Sequence, residues 1–361
     1  MNQKDKDNLR TQVALDRIGR SNRIIPLTFH NEKKFSYVTF NKDQTLLALC
    51  NDCEQLTILD ALTFEGLNIF NTKSAIRQAI FHPVTDIIFC ALATDYIQIF
   101  DPYTIQEKQK EYLFEYEDSR PLWISLSFSG DKLAVTWRDI FKNTDPNHKD
   151  TRVAIYDSKD CKGSEQPKIQ KSLVPENFEE RFTSAIFGMH EDILYICNEN
   201  KKILKYNLKG EKLASTGQLF SNNLSSLTFS PHFEFLIASG NEGVHLLNPS
   251  DLTVFRSVVT RHPVRCAQLS SLAYSNPPKY HLIYGGGVPA RDQATRSDAG
   301  NELFIYDIST EEKVFELADA FGNINWLELF ADGSGVVTAG EEGFCRIYRF
   351  DQCFYSNKEF Q

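Results

Sequence analysis

No hydrophobic run in this 361-residue sequence is long enough to cross a membrane. The longest apolar stretch, residues 87–93, has seven residues, whereas a spanning helix needs about 20. Residues 1–23 are polar and lack the apolar region of a secretory signal peptide. We therefore expect no membrane segment and no secretion signal, which favours a cytoplasmic protein.

Positive charge is scarce relative to negative charge. The sequence has 39 Lys and Arg residues against 48 Asp and Glu residues, a formal net charge of −9. A protein that binds nucleic acid by neutralising phosphates needs the opposite balance, at least locally. Lys201, Lys202 and Lys205 are candidate contacts for RNA phosphates, but such residues are more often solvated turn residues. We expect direct RNA contact to be minor at most.

Motifs for metals, cofactors and catalysis are also missing. Among eight scattered cysteines, Cys50 and Cys53 form the only close pair, without the second pair or the histidines of a structural zinc site. Gly285-Gly286-Gly287 lacks the Lys-Ser/Thr ending of a phosphate-binding loop. No nucleophile elbow or paired acidic motif occurs. The sequence predicts no metal, no cofactor, no catalytic residues and reduced cysteines.

What the sequence does contain is a repeated pattern of short β-strands. In residues 122–128, Leu122, Ile124, Leu126 and Phe128 alternate with Trp and Ser, which assigns these four residues to one face of a sheet. Similar runs recur along the chain and are separated by Gly, Pro, Asn and Asp. Long amphipathic helices are absent. The sequence therefore predicts an all-β fold.

The runs fall into seven groups. In six groups the third run ends in an apolar pair followed by Asp or Asn, and in the seventh Arg takes that place. These residues are Asp60, Asp101, Asp157, Asn207, Asn248, Asp307 and Arg349. They are 41, 56, 50, 41, 59 and 42 residues apart, and a propeller blade of four strands needs about 40–45 residues. Polar insertions at 138–150, 158–175 and 288–301 account for the longer intervals.

The two ends of the repeated region complete the predicted ring. The seventh group has three strand runs, and residues 24–29 can supply its fourth strand, which would remove an exposed sheet edge. We predict a single seven-bladed WD-type β-propeller over residues 24–361, preceded by an extension, residues 1–23, that is flexible or ordered by a partner. The Trp-Asp pair of WD repeats is absent. Another all-β architecture, such as two packed sandwiches, is the alternative.

The last third of the chain resembles a known family. Its most specific feature is Gly285-Gly286-Gly287-x-x-Ala290-x-Asp292-x-x-Thr295, which looks like the glycine-rich insertion of the i subunit of eukaryotic translation initiation factor three. Phe321-Gly322-x-Ile324-Asn325 is similar to the start of that family's seventh blade. The similarity is dense only from Pro263 onward, and blades two to four are strongly diverged. The chain is identified as a divergent member.

The resemblance implies a non-catalytic scaffold subunit that acts in the cytoplasm during assembly of the pre-initiation complex and scanning. In that family the propeller binds a C-terminal segment of the b subunit, associates with the g subunit and reaches the small ribosomal subunit through the complex. The b-subunit contact lies along blades five and six. Here it corresponds to the turns around His232 and Asn248, with Phe233, Phe235 and Leu252 as apolar support. Family members tend to have acidic residues at the positions of His232 and Asn248. This chain does not, so we expect an apolar helix contact rather than a charge-based one.

Two other classes of function stay open on the sequence alone. A related propeller could be an adaptor in kinase-receptor signalling or ubiquitin transfer, because this fold hosts many unrelated functions. A propeller enzyme would act at the central channel, but the spacing nominates no acid there.

Overall fold

The computed structural model describes residues 24–30, 34–104, 112–116, 118–140, 150–162, 167–176, 180–274, 278–288, 300–318, 320 and 322–350. In this part of the chain, 28 β-strands form seven four-stranded antiparallel sheets, and the helical segments are short 3₁₀ turns at Asp160–Lys162 and Ser271–Tyr274. None of the helices described could span a membrane. The predicted extension (1–23) and parts of the three predicted insertions lie outside the described residues.

Blades one to four each use four strands that are consecutive in sequence. Blade one contains β2 (Phe35–Phe40), β3 (Leu46–Asn51), β4 (Gln55–Asp60) and β5 (Gly66–Asn71). Blade two contains β6 (Ile76–Phe81), β7 (Ile88–Leu92), β8 (Tyr96–Phe100) and β9 (Tyr112–Glu115). Blade three contains β10 (Ser119–Leu126), β11 (Lys132–Asp139), β12 (Thr151–Asp157) and β13 (Ile169–Leu173). Blade four contains β14 (Phe182–Phe187), β15 (Ile193–Asn198), β16 (Ile203–Asn207) and β17 (Lys212–Ser215).

Blades five and six repeat this order, and blade seven combines both ends of the repeated region. Blade five contains β18 (Leu224–Phe229), β19 (Leu236–Gly240), β20 (Gly243–Leu247) and β21 (Val254–Val259). Blade six contains β22 (Val264–Leu269), β23 (His281–Gly286), β24 (Leu303–Asp307) and β25 (Glu312–Leu317). Blade seven contains β26 (Ile324–Leu329), β27 (Gly335–Gly340), β28 (Phe344–Phe350) and β1 (Ile24–His30).

The first strands of the blades form a closed inner ring. Contacts run from β2 through β6, β10, β14, β18, β22 and β26, and from β26 back to β2. Hydrogen bonds from side chains to the neighbouring backbone join blades in this ring: Ser36 Oγ donates to the Ile76 carbonyl at 2.6 Å, and Asn325 Nδ2 donates to the Phe35 carbonyl at 2.7 Å. The predicted seven-bladed propeller is confirmed, and the sandwich alternative is wrong.

Strand β1 closes the ring from the outside. It pairs antiparallel with β28, from Ile24 opposite Phe350 to His30 opposite Phe344, and so becomes the outer strand of blade seven. The strand predicted at 24–29 is thus confirmed and extends one residue further. The pairing occupies the backbone edge that β28 would otherwise leave open.

The Asp or Asn that marks each repeat caps the turn after the third strand. In six blades its Oδ1 accepts a backbone N–H from that turn, as Asp60 does from Leu62 at 2.9 Å and Asp307 from Ser309 at 2.7 Å. Such side chains replace a backbone acceptor and fix the turn. Arg349 lies within β28 instead, and its guanidinium donates to Ser334 Oγ at 2.9 Å.

A β-bulge interrupts the first strand of every blade. In β10 it lies between Pro121 and Trp123, and the strand ends at Leu126. Ile124 is 1% exposed, but Phe128 lies in the turn beyond the strand and is 62% exposed. The predicted alternation is therefore wrong at Phe128, because the strand ends before that residue.

Aromatic side chains of the inner strands meet across the ring. Trp326 of blade seven stacks on Tyr37 of blade one with ring centroids 4.4 Å apart, and its ring lies 5.8 Å from that of Trp123 in blade three. Two residues beyond Trp326, Glu328 accepts hydrogen bonds from Gln268 Nε2 at 3.1 Å and from the Trp326 indole at 3.4 Å. Burial raises the pKa of the Glu328 carboxyl to about 7.

Removing β1 tests the closure of the ring. A chain lacking residues 1–30 exposes the edge of β28, so we expect a lower thermal midpoint and concentration-dependent association. Thermal unfolding and light scattering after gel filtration measure both effects. The matched control lacks only residues 1–23 and keeps β1. Equal stability of the two truncated chains would contradict the closure.

The Glu328 carboxyl predicts a pH dependence of stability. Its folded pKa lies above its usual value of 4.5, so the folded state binds this proton more tightly, and stability should fall as the pH rises from about 4.5 to about 7. Glu328→Gln should stabilise the fold at pH 8 by roughly 1–3 kcal/mol and have little effect at pH 4.5. Urea unfolding at both pH values, with the exposed Glu65→Gln as control, measures this. An equal effect at both pH values would refute the assignment.

Candidate protein-interaction surface

The residues predicted to contact a partner lie in two turns of blade five. His232, Phe233 and Phe235 belong to the connection between β18 and β19, whereas Asn248 and Leu252 belong to that between β20 and β21. Successive strands of an antiparallel sheet run in opposite directions, so its first and third turns emerge at the same end. The structure therefore brings all five residues to one end of blade five, rather than distributing them over blades five and six.

Ser230 holds the first of these turns. Its carbonyl accepts the N–H of Phe233 at 2.9 Å, and its Oγ accepts the N–H of Phe235 at 2.9 Å. Phe233 adopts a φ of +61°, which is unusual for a bulky residue. Its half-buried ring lies 4.9 Å from Phe229 and 6.1 Å from Phe128 in blade three. The turn thus presents aromatic surface that continues toward another blade.

Asn248 and Leu252 shape the second turn in different ways. The exposed Asn248 accepts the N–H of Ser250 on Oδ1 at 2.9 Å and the N–H of Leu252 on its carbonyl at 2.9 Å. Leu252 is only 4% exposed and packs in the core with φ = +64°. Asn248 is accessible to a partner, whereas Leu252 supports the turn from below.

Blade four fixes the same turn. The carbonyl of Pro249 accepts hydrogen bonds from the Tyr195 hydroxyl at 2.7 Å and from Lys205 Nζ at 3.0 Å. Lys205 also donates to the Ser250 carbonyl at 2.8 Å. Lys205, a candidate RNA contact from the sequence, is therefore bound to the protein's own backbone. Burial raises the pKa of Tyr195 to about 12, so its hydroxyl stays a donor at neutral pH.

Two apolar residues of this surface were missed in the sequence. Val254 and Phe255, at the start of the outer strand β21, are 46% and 60% exposed. The Phe255 ring lies 5.1 Å from that of Phe235, so the two side chains form one aromatic patch. Adjacent residues of a strand point to opposite faces of the sheet. Two neighbouring large apolar residues on an outer strand therefore indicate that apolar surface is exposed, and this signal was available in the sequence.

Acidic side chains flank the patch. Glu234 and Asp251 are exposed, two residues after His232 and three after Asn248. Asp251 Oδ1 accepts the Thr253 N–H at 2.9 Å, and hydrogen bonds of this kind lower the pKa of the carboxyl. Negative charge therefore stands close to the two positions where the family resemblance implied it. We call Phe233, Glu234, Phe235, Asp251, Val254 and Phe255 the blade-five surface.

The glycine motif lies in blade six, at the opposite end of the sheets. Gly285 and Gly286 end β23, and Gly287 follows with φ = +122°. A Cβ on Gly286 would lie 2.2 Å from the Pro263 carbonyl oxygen, so only glycine allows this close approach of two backbones. The other motif residues lie outside the described part of the chain: Ala290, Asp292 and Thr295.

Cys50 is a buried residue of β3, and Cys53 lies in the hairpin turn that follows this strand. Asn51 Oδ1 accepts the Cys53 N–H at 2.9 Å and the Gln55 N–H at 3.2 Å, which explains the spacing structurally. No disulfide joins the seven cysteines that the structure describes. Burial raises the pKa of the Cys197 thiol to about 12. Across the described ranges, no three His, Cys, Asp or Glu side chains are grouped to hold a metal ion.

Comparisons with known proteins bear on the family. No family model matches the chain. Proteins named eukaryotic translation initiation factor 3 subunit I are similar to it: one from Caenorhabditis briggsae is 28% identical over 231 residues, which is 63% of this chain and 66% of the relative. One from Brugia malayi is 28% identical over 236 residues (63% and 67%), and one from Drosophila yakuba is 27% identical over 183 residues (50% and 55%).

The chain thus spans about two thirds or less of the length of these relatives. The resemblance indicated by the glycine motif and by the start of blade seven is confirmed. A seven-bladed propeller without the Trp-Asp pairs fits a divergent WD-repeat chain of this type.

Stability measurements can distinguish candidate residues that support the fold from those whose side chains are available to contact a partner. Leu252→Ala should destabilise the fold by about 2–4 kcal/mol, because it leaves a cavity in the core. Phe255→Ala, at a mainly exposed side chain, should cost less than about 1 kcal/mol. Urea unfolding of both variants measures the difference. Similar losses for the two would show that Phe255 belongs to the core.

Proposed function

We propose that this chain is a non-catalytic scaffold subunit of eukaryotic translation initiation factor three and that it acts in translation initiation in the cytoplasm. The observation that carries the proposal is its similarity to the subunit I proteins of nematodes and flies. The closed propeller agrees with a scaffold role, because a rigid ring presents preformed turns to its partners.

The blade-five surface is the proposed docking site for a C-terminal segment of the b subunit. Phe233, Phe235 and Phe255 offer aromatic area at turns that hydrogen bonds already fix. Aromatic anchors contribute much of the binding energy at protein interfaces, and fixed turns lose little conformational entropy on binding. An amphipathic helix would place its apolar stripe on this patch.

Charge around the patch adds a requirement on the helix. Glu234 and Asp251 are exposed carboxylates beside the aromatic residues. Basic residues on both sides of the apolar stripe would complement them and set the orientation of the helix. The proposed contact is therefore an apolar centre with a charged rim, rather than a charge contact through His232 and Asn248.

Association with the g subunit and with the small ribosomal subunit is also part of the proposal. Both follow from the family resemblance, and the contact with the ribosome would run through the complex. The formal net charge of −9 agrees with little direct contact to RNA.

The middle of the ring supports a scaffold over a channel enzyme. Trp326 stacks on Tyr37 and makes a tilted contact with Trp123 across the inner strands. Aromatic rings therefore lie where a propeller enzyme would place its substrate. Glu328 is engaged by Gln268 and by Trp326.

Affinity purification of the full-length tagged chain tests the assignment to translation. We expect the other initiation-factor subunits among the recovered proteins and sedimentation with small ribosomal subunits. Recovery of kinase-receptor or ubiquitin-ligase components without initiation factors would replace the assignment with the adaptor function.

Substitutions in the blade-five surface test the docking site. Phe255→Ser should reduce recovery of the b subunit at least about tenfold, because an aromatic anchor is lost. Leu213→Ser is the matched control, since Leu213 is 50% exposed on β17 of blade four. Quantitative mass spectrometry of purified complexes measures both. If Phe255→Ser recovers as much b subunit as Leu213→Ser does, the b subunit binds elsewhere.

A further inference from the structure

A pocket of about 230 Å³ lies beside the glycine motif, at the end of the sheets opposite to the blade-five turns. The segment that joins β21 to β22 forms one wall. The other wall comes from the end of β23 and the start of β24, with Tyr284, Glu302 and Phe304. The pocket therefore lies at the boundary between blades five and six.

Two glycines allow the backbone segments that form the walls of this pocket to approach each other closely. A Cβ on Gly286 would meet the Pro263 carbonyl oxygen at 2.2 Å, and a Cβ on Gly300, whose φ is +63°, would meet His262 Cγ at 2.1 Å. Side chains at these positions would push the two segments apart. The glycine motif thus holds the connection between the blades against blade six, with the pocket between them.

The pocket combines an aromatic wall with a carboxylate. Tyr284 and Phe304 are stacked with ring centroids 5.2 Å apart and an interplanar angle of 25°. Glu302 also lines the pocket, and its Oε2 is buried without a hydrogen-bond partner in the described structure. Buried carboxylate oxygens normally have a donor. A donor supplied by a ligand would satisfy this one.

The unpartnered carboxylate oxygen of Glu302 favours a cationic donor as that ligand. Lys313, whose Nζ lies 5.5 Å from the Phe304 ring centroid, is paired with Glu316 and not with Glu302. Arg261 and His262 line the pocket as well, and each already has interactions of its own. No ion pair of Glu302 occurs among the residues described.

We propose that this pocket binds the side chain of an Arg or Lys residue from a protein segment. The aliphatic part would pack on Tyr284 and Phe304, and the cationic group would donate hydrogen bonds to Glu302. A protein segment is favoured because Val259, 83% exposed at the end of the outer strand β21, also lines the pocket and extends its apolar surface along blade five. The proposal is independent of the function in translation.

Ligand-observed NMR titration of the full-length chain tests the pocket. The probes are acetyl-Gly-Arg-Gly amide, agmatine as a small free alkylguanidinium that also carries an ammonium group, and N-butylurea as an uncharged analogue. Glu302→Gln keeps the shape and removes the charge, and the exposed Glu312→Gln on β25 of the same blade is its control. We expect both cationic probes to bind the wild type and Glu312→Gln, with at least tenfold weaker binding to Glu302→Gln.

Several results would overturn the proposal. These are no binding by the wild type, equal binding of N-butylurea, or full binding by a Glu302→Gln chain that melts at the wild-type temperature. Binding of agmatine without the peptide would assign the pocket to a small cationic metabolite instead of a protein segment. If Glu302→Gln does not fold, Phe304→Leu provides the test. This variant keeps the charge and should weaken binding of both cationic probes, because it removes an aromatic ring from the wall of the pocket.

Discussion

Closure of the ring is the constraint on which the other features of this protein depend. Among the strands that the structure describes, the outer strand of each blade pairs on one side only, but the inner strands contact one another in an unbroken circle from β2 to β26 and back. Blade seven takes part in this circle through β26, and β1 adds the fourth strand of that blade by pairing with β28. The first and last strands are therefore held together by backbone hydrogen bonds, and the turns of all blades are mounted on one body.

Within that body, side chains of the same turn fix the turns that follow the third strands, and in blade five Tyr195 and Lys205 of blade four add to this. The Asp or Asn after the third strand binds backbone N–H groups of its own turn in six blades, and it does so whatever the rest of the turn contains. The sequences between the caps are therefore free to diverge. In blade five the capped turn contains Leu252, a bulky residue with positive φ that only a well-held turn would tolerate.

This division explains what could be predicted from the sequence. The capping Asp and Asn residues act within their own turns and recur once per blade. The number of blades, the positions of the third strands and the closing strand could therefore be predicted from the sequence. Contacts between blades leave no such trace. Phe128 meets Phe233, and Trp123 meets Trp326, across large separations in the chain. The β-bulge in the first strand of every blade also shifts the alternation of apolar and polar residues from which the faces of a strand are predicted. Glu302 was missed for a similar reason, because its pocket exists only where two blades meet.

The outer strand β21 connects the blade-five surface with the pocket that Glu302 lines. Val254 and Phe255, at its beginning, belong to the aromatic patch with its exposed carboxylates, and Val259, at its end, lines the pocket of Glu302. Five residue steps of a strand span about 17 Å, a distance that one short segment of a partner can cover. Both surfaces combine apolar area with at least one carboxylate, so both would suit the same chemistry, an apolar segment that carries basic side chains. Because β21 belongs to the closed ring, the distance between the two surfaces is fixed, and a partner that bound both would need its basic and apolar residues at a matching spacing.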